Sequence, residues 1–401
     1  MKKIIFFLID GLADFADRKT PLRLAKKNFL DSIKNKIHLS YIYPVEKKYW
    51  PKQGNYSVSG IANLHLLGYK IKPNQFKRGP YEAIGSNIEY KNGWLAFRAN
   101  FATIDKNLKV IDRRAGRNNY GFKVLVKEIN SIKFEIPFRF YHTSGHRGVL
   151  IFKYPLSDKI SENDPYKIGK KIKKINPLAK DNLSIKTAFL INKFLDLVYL
   201  TLEKSKINKK RKEKKILPAN FILLREPGNK ILKLENFFKK HKFNNGVIVA
   251  TNGVDKGTCL SVGFDKYDLD YPKTISQELI NLKRAIIKNF LSYQLIYCHL
   301  KKADEFSHDK NFEGKKNFFE KFDSFLKEIY KKIINDIIVI TGDHITNVKD
   351  GEHKFGPIPL IIINSELSNN PKEISELEAI KLGRFFKDNN QIWKFLKENV
   401  S

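Results

Sequence analysis

Cysteine is nearly absent from this chain: 401 residues hold two, Cys259 and Cys298. Two thiols make no disulfide framework at this length, so a reducing compartment is expected. Long apolar runs are missing too. The N-terminal run IIFFLI stops at Asp10, too soon for a signal peptide. Nothing elsewhere reaches the roughly 18 apolar residues of a transmembrane helix. A soluble, cytoplasmic protein with no membrane partner is expected. No internal repeat is visible. Acidic residues are scarce beside basic ones, 42 against 75, for a net charge of +33.

That charge has three readings. It suits nucleic acid or another anionic surface. It also suits a compositional bias that loads solvated helix faces with lysine, and a field that draws in a small phosphorylated substrate. The lysines are dispersed along the whole chain, and neither zinc-finger spacing nor a common RNA-binding motif occurs. No specific nucleic-acid partner is therefore expected. What is present is an ordinary globular composition, 42% apolar and 12% aromatic, sufficient for a sizeable core.

Residues 3–9 read as a buried strand that ends at the turn signal Asp10-Gly11. Strands are expected within 288–300, at 337–341 (IIVIT) and at 359–363 (PLIII). Helical periodicity runs through 22–35 and 311–334. Strands alternating with helices imply an α/β fold whose mostly parallel sheet is flanked by helices. Residues 93–155 break into short alternating segments with Gly and Asn turns, and 166–213 read as helical. The basic run Lys204–Lys215 reads as an exposed helix end or loop. These shifts suggest one domain built from 1–72 and 231–401. A smaller α/β (α+β) domain would be inserted at 73–230.

The residues that carry chemistry fall at strand ends. Asp10 ends the first strand, and Asp304 and His308 follow YCHL. Asp343-His344 follow IIVIT, and His353 precedes PLIII. Ligands of open α/β sheets gather at such carboxyl ends. Imidazole and carboxylate together suit divalent metals, and three Asp with three His suffice for two ions. Each element alone is an ordinary turn; the ordered set is not. Ser59, in GNYSVSGIANLHLLGY, precedes a helix-like segment. It could be a helix cap, or a nucleophile activated by a metal and by helix N-terminal amides. Ser57 competes for that role on local grounds.

These stretches resemble the archaeal-type 2,3-bisphosphoglycerate-independent phosphoglycerate mutases of the alkaline phosphatase superfamily. The likeness runs over nearly the whole chain. It includes DGLAD at 10–14, SGIANLHLLGY at 59–69, RGPYEAIG at 78–85 and IDRRAGR at 111–117. It continues through DKG at 255–257, CHLKKADEFSHD at 298–309, TGDHIT at 341–346 and HKFGPIP at 353–359. The resemblance implies Asp10, Ser59, Asp343 and His344 around one metal and Asp304, His308 and His353 around another. The ions would be manganese, or magnesium, cobalt or zinc, and no 2,3-bisphosphoglycerate would be needed. It implies interconversion of 3- and 2-phosphoglycerate through a phosphoserine, in glycolysis and gluconeogenesis, with two domains closing over the glycerate. Lys256 aligns with a lysine that reaches the phosphoryl group. Asp164 is the expected proton carrier, and Arg78, Arg98, Arg113, Arg114, Arg117, Arg147 and Arg225 are the candidate substrate cations. A small-molecule substrate is the expected partner, with a homo-oligomer left open.

The chain departs from that pattern at four places. Gly60 replaces an acidic residue, Ser307 a glycine, Ile345 a serine and Gly356 an aspartate. None is a presumed ligand, but each could change hydrogen bonding behind the ligands. The competing readings are a metal-dependent phosphatase or phosphonate hydrolase on the same fold, a nucleic-acid-binding protein, and a non-catalytic relative. The arginine-rich stretch 111–117 favours the mutase over the phosphatase. The complete ligand set argues against the non-catalytic relative.

Overall fold

The computed structural model describes residues 2–50, 58–251, 253–333, 335–364 and 366–400. It divides into two compact units, Met1–Phe76 with Lys233–Thr251 and Thr258–Ser401, and Lys77–Leu232 with Asn252–Gly257.

The first unit is built on a seven-stranded sheet. Its central strands are unbroken apolar runs, Ile4–Ile9, Leu295–Leu300 and Ile337–Thr341, buried at every position. Such runs form strands that are covered on both faces. Ile4–Ile9 pairs in parallel with both neighbours, bringing Ile9 beside Leu300 and Leu8 beside Thr341. Gly246–Ala250 and Asp265–Asp268 extend the sheet in parallel on one side. On the other side Ile358–Ile363 pairs antiparallel with Ile337–Thr341, and Ile37–Ile42 pairs antiparallel with Ile358–Ile363. Three adjacent parallel strands therefore end at one edge, and Asp10, the helix Lys302–His308 and Asp343-His344 follow those three ends. Among the described residues, no helix is long and apolar enough to cross a membrane.

The second unit holds an antiparallel sheet of Trp94–Ile104, Val110–Asp112, Phe138–His142, Arg147–Pro155 and Phe221–Gly228. Phe101, Phe122, Phe140, Phe152 and Phe194 fill the core between this sheet and its helices.

Three expected elements are redrawn. Residues 288–294 lie outside the strand, because the helix Ile275–Asn289 reaches into them. The segment 22–35 breaks into Pro21–Leu24 and Asn28–Ser32, with the Lys27 ammonium donating to the Leu22 and Ala25 carbonyls at 2.6 and 2.8 Å. Residues 166–181 are not helical. They make extended backbone pairs, Lys109 with Lys171 and Ile160 with Pro177, before the helix Asn182–Lys204 starts at its Asp181 cap.

Candidate active site

Gly11 makes the first turn possible. Its φ is +75°, which a side chain resists, and a Cβ there would lie 2.7 Å from the Asp304 Cα. Asp10 and Asp304 can approach only because residue 11 lacks a side chain. His353 arrives by a hairpin, in which Glu352–Lys354 pairs with Ile345–Asn347 and sets His353 opposite Thr346.

Two groups of side chains converge here. Asp304, His308 and His353 form one, and Asp10, Asp304 and His344 the other. His308 Nε2 lies 3.1 Å from His353 Nε2 and 3.3 Å from Asp304 Oδ2, and His353 Nε2 lies 3.5 Å from Asp304 Oδ1. His344 Nε2 lies 3.1 Å from Asp343 Oδ2 and 3.5 Å from Asp10 Oδ1. Ser59 Oγ stands 3.2 Å from the same nitrogen, near the start of the helix Val58–Leu66. All seven side chains thus belong to one cluster, in which Asp304 is common to both groups. Ser57 lies outside the described residues.

Hydrogen bonds behind the cluster fix which ring nitrogens face inward. His308 Nδ1 donates to the Gly351 carbonyl at 2.7 Å, which turns Nε2 toward the cluster. His344 Nδ1 meets Thr346 Oγ1 at 3.1 Å, and that hydroxyl donates to Asp304 Oδ1 at 2.8 Å. Thr346 therefore accepts from His344 Nδ1, and His344 Nε2 is turned toward the cluster. Behind Thr346, the buried Lys315 ammonium binds the Thr346 carbonyl at 3.1 Å and Asp14 Oδ2 at 2.5 Å. His299 Nε2 stands 3.9 Å from Asp10 Oδ2. Sequence reasoning missed Thr346, Lys315 and His299. Thr346 was accessible by strand alternation, being two residues from His344.

The electrostatics are those of a cation site. Burial would lower the basicity of His344, but Asp343 and Asp304 outweigh it and hold the imidazole above its ordinary range. Burial would raise the Asp304 carboxyl, but His308 and His353 hold it well below its range. Asp343 Oδ2 is buried, with His344 Nε2 at 3.1 Å. Inward-facing imidazole nitrogens beside buried carboxylate oxygens are what metal coordination satisfies.

A buried acid supports the helix Lys302–His308. Glu278 Oε1 accepts from the Lys301 amide at 2.8 Å, and burial pushes its carboxyl up to about 7. The folded state thus binds this proton more tightly than the unfolded state. Stability is lost as pH rises from the ordinary glutamate range toward 7, by up to about 3 kcal/mol. Glu278→Gln keeps an acceptor but cannot ionise. Urea midpoints across that range should fall with pH more steeply for the parent than for the variant. Parallel curves would show that Glu278 does not titrate there.

Two of the sequence departures touch. The buried Ile345 places its Cδ1 2.3 Å from where a Cβ on Gly356 would stand. Gly356→Ala should therefore destabilise by about 1–3 kcal/mol through overpacking. Ile345→Ser should remove most of that cost, giving a coupling of about 1 kcal/mol or more in a double-mutant cycle. Additive effects would separate the two positions.

In the second unit, Arg98 stands directly across the sheet from Arg225, and Asn100 from Arg147. Like charges across a strand pair are unfavourable unless an anion joins them. Arg98 Nε is buried without an acceptor among the described residues. Burial and the neighbouring Arg147, Arg98, Arg114 and Arg225 hold the His146 imidazole down at about 2. Asp164 is fully buried and takes two bonds from Arg113, at 3.1 and 2.7 Å, with Arg225 Nε at 3.7 Å. The Tyr166 ring lies under both guanidinium groups, 5.1 Å from Arg113 and 5.2 Å from Arg225. Arg78 is paired with Glu82 at 2.7 Å. Arg117 lies exposed on the turn Ala115–Arg117, and Lys256 is buried on the helix Val254–Ser261.

A family model described as 2,3-bisphosphoglycerate-independent phosphoglycerate mutase matches residues 50–208. The protein of that name from Methanococcus maripaludis strain C6 is 35% identical over 367 residues, covering 90% of this chain and 88% of its own. A 2,3-bisphosphoglycerate-independent phosphoglycerate mutase 1 from Methanocaldococcus jannaschii is 34% identical over 371 residues, with the same coverage of 90% and 88%. Among solved structures, the cofactor-independent phosphoglycerate mutase of Thermoplasma acidophilum aligns over 100% of both chains. Its TM-score is 0.63 at 26% identity. A Pyrococcus horikoshii protein shares the fold, with a TM-score of 0.76 at 23% identity over 100% of this chain and 97% of that one.

Proposed function

Since the chain belongs to the 2,3-bisphosphoglycerate-independent phosphoglycerate mutases, we propose that Ser59 is the nucleophile of its phosphoryl transfer and that the surrounding Asp and His side chains hold two divalent cations. The reaction interconverts 3- and 2-phosphoglycerate. One observation carries the assignment: Ser59 Oγ sits 3.2 Å from the inward-facing His344 Nε2, within the cluster of carboxylates and imidazoles.

Charge balance supports two cations. As metal ligands the imidazoles would be neutral, while Asp10, Asp304, Asp343 and an ionised Ser59 would carry four negative charges. Asp10, Ser59, Asp343 and His344 would hold one ion and Asp304, His308 and His353 the other, Asp304 lying near enough to serve both. Manganese is the first candidate, with magnesium, cobalt and zinc as the other oxygen- and nitrogen-binding choices. When bound, the ions favour the serine alkoxide and neutralise the phosphoryl oxygens.

Ser59 Oγ attacks phosphorus in line, forming phosphoserine and releasing glycerate. The amides at the start of its helix add positive potential at the same point. Glycerate turns over, and its other hydroxyl takes the phosphoryl group back. Asp164, held by Arg113, is assigned to move the hydroxyl proton. Arg98, Arg114, Arg147 and Arg225 are assigned to the substrate's anionic groups, Arg113 to both Asp164 and the substrate, and Arg78 and Arg117 to its periphery. Lys256 is assigned to the phosphoryl group. The buried Cys259 and Cys298, neither of them in a disulfide, support a cytoplasmic setting.

The test is acid quenching during turnover of 3-phosphoglycerate without bisphosphoglycerate, followed by peptide mapping. Phosphate on the Ser59 peptide together with 2-phosphoglycerate as product is expected. Free phosphate as the main product would instead favour the phosphatase reading.

A further inference from the structure

The basic run Lys204–Lys215 reads as solvated, but one of its cations is not. Arg211, on the helix Lys206–Glu213, is fully buried together with Asn208 one turn before it. Among the described residues no carboxylate pairs with it. Its guanidinium instead donates to four backbone carbonyls, from Nε to Leu217 at 2.8 Å and from Nη1 to Tyr120 at 2.7 Å. Nη2 reaches both Ala115 and Asn118 at 3.0 Å.

Three of those carbonyls belong to one short segment. Ala115, Gly116 and Arg117 take successive φ values of +45°, +69° and +55°. Only glycine adopts that region readily, so two of the three residues need outside support. Asp112 Oδ1 supplies some, accepting from the Arg114 amide at 2.6 Å and the Gly116 amide at 3.1 Å. The turn also gathers the oxygens of Ala115, Asn118 and Tyr120 around one point. Their partial negative charges repel unless a donor stands among them, and a planar fork with five N–H groups suits that place better than an ammonium does.

This segment directly follows Arg113, which grips Asp164, and it includes Arg114, which lies near His146. We propose that Arg211 is a positioning residue that clamps this left-handed turn and thereby fixes Arg113 and Arg114 for the anionic substrate. The inference rests on the reading of those arginines as substrate cations.

The test compares kcat and KM for 3-phosphoglycerate in the full-length parent, Arg211→Met, Arg211→Lys and Arg113→Ala. Arg211→Met should raise KM about tenfold or more while kcat stays within about threefold, and Arg211→Lys should fall between it and the parent. A parental KM in Arg211→Met beside a raised KM in Arg113→Ala overturns the proposal, even if the melting temperature falls. A parental KM in Arg113→Ala overturns the underlying reading of the arginines, and the proposal with it. If Arg211→Met does not fold, Arg211→Lys decides: a raised KM at a parental melting temperature supports the clamp, and a parental KM overturns it.

Discussion

Ser59→Ala is expected to reduce turnover of 3-phosphoglycerate on the order of 10⁴-fold or more, because the hydroxyl that receives the phosphoryl group is gone. The nearby hydroxyl of Thr346 is no substitute. Its proton goes to Asp304 Oδ1 and its oxygen accepts from His344 Nδ1, so neither is available to a phosphorus atom. Binding should survive better than chemistry, because the arginines assigned to the substrate are untouched. Ser57→Ala is the informative control. Turnover that survives Ser59→Ala but is lost in Ser57→Ala moves the nucleophile to Ser57. Turnover that survives both removes serine catalysis altogether.

The first unit was readable because its strands need no context. IIFFLI and IIVIT are short, apolar at nearly every position and rich in β-branched and aromatic residues, which favours a strand covered on both faces over a buried helix. The first acidic residues beyond the ends of parallel strands then mark the functional edge of the sheet, as Asp10, Asp304 and Asp343 do. Where a charged side chain turned inward, the reading failed. Lys27 binds carbonyls and splits a periodic helix, and Arg211 is buried inside a run that looks solvated. Composition tells how many cations a segment has but not which one a backbone turn will enclose.

The residues behind the cluster were hidden for a different reason. Lys315 and Asp14 are 301 positions apart and meet only through tertiary packing at 2.5 Å. Ile345 and Gly356 looked like two separate departures, yet the side chain of one fills the space that the absence of the other leaves. Complementarity of that kind is visible in coordinates and cannot be derived from one sequence.

Removing the metals should be as damaging as removing the serine. EDTA is expected to lower turnover by at least about 10³-fold, with recovery on adding Mn²⁺, because the ions would supply most of the positive charge that favours the ionised serine. Asp343→Asn should do nearly the same in the presence of excess Mn²⁺. The substitution keeps the shape but removes one of three carboxylate charges, and it places an amide 3.1 Å from His344 Nε2 where the structure has a buried carboxylate oxygen. If that amide takes its N–H inward, it also occupies the His344 lone pair, so one ion loses two donors at once. Elemental analysis should therefore find about two metals per chain in the parent and about one in Asp343→Asn, the remaining ion held by Asp304, His308 and His353. Turnover within a few-fold of the parent after both treatments, or unchanged metal content in the variant, would leave this cluster without its assigned role.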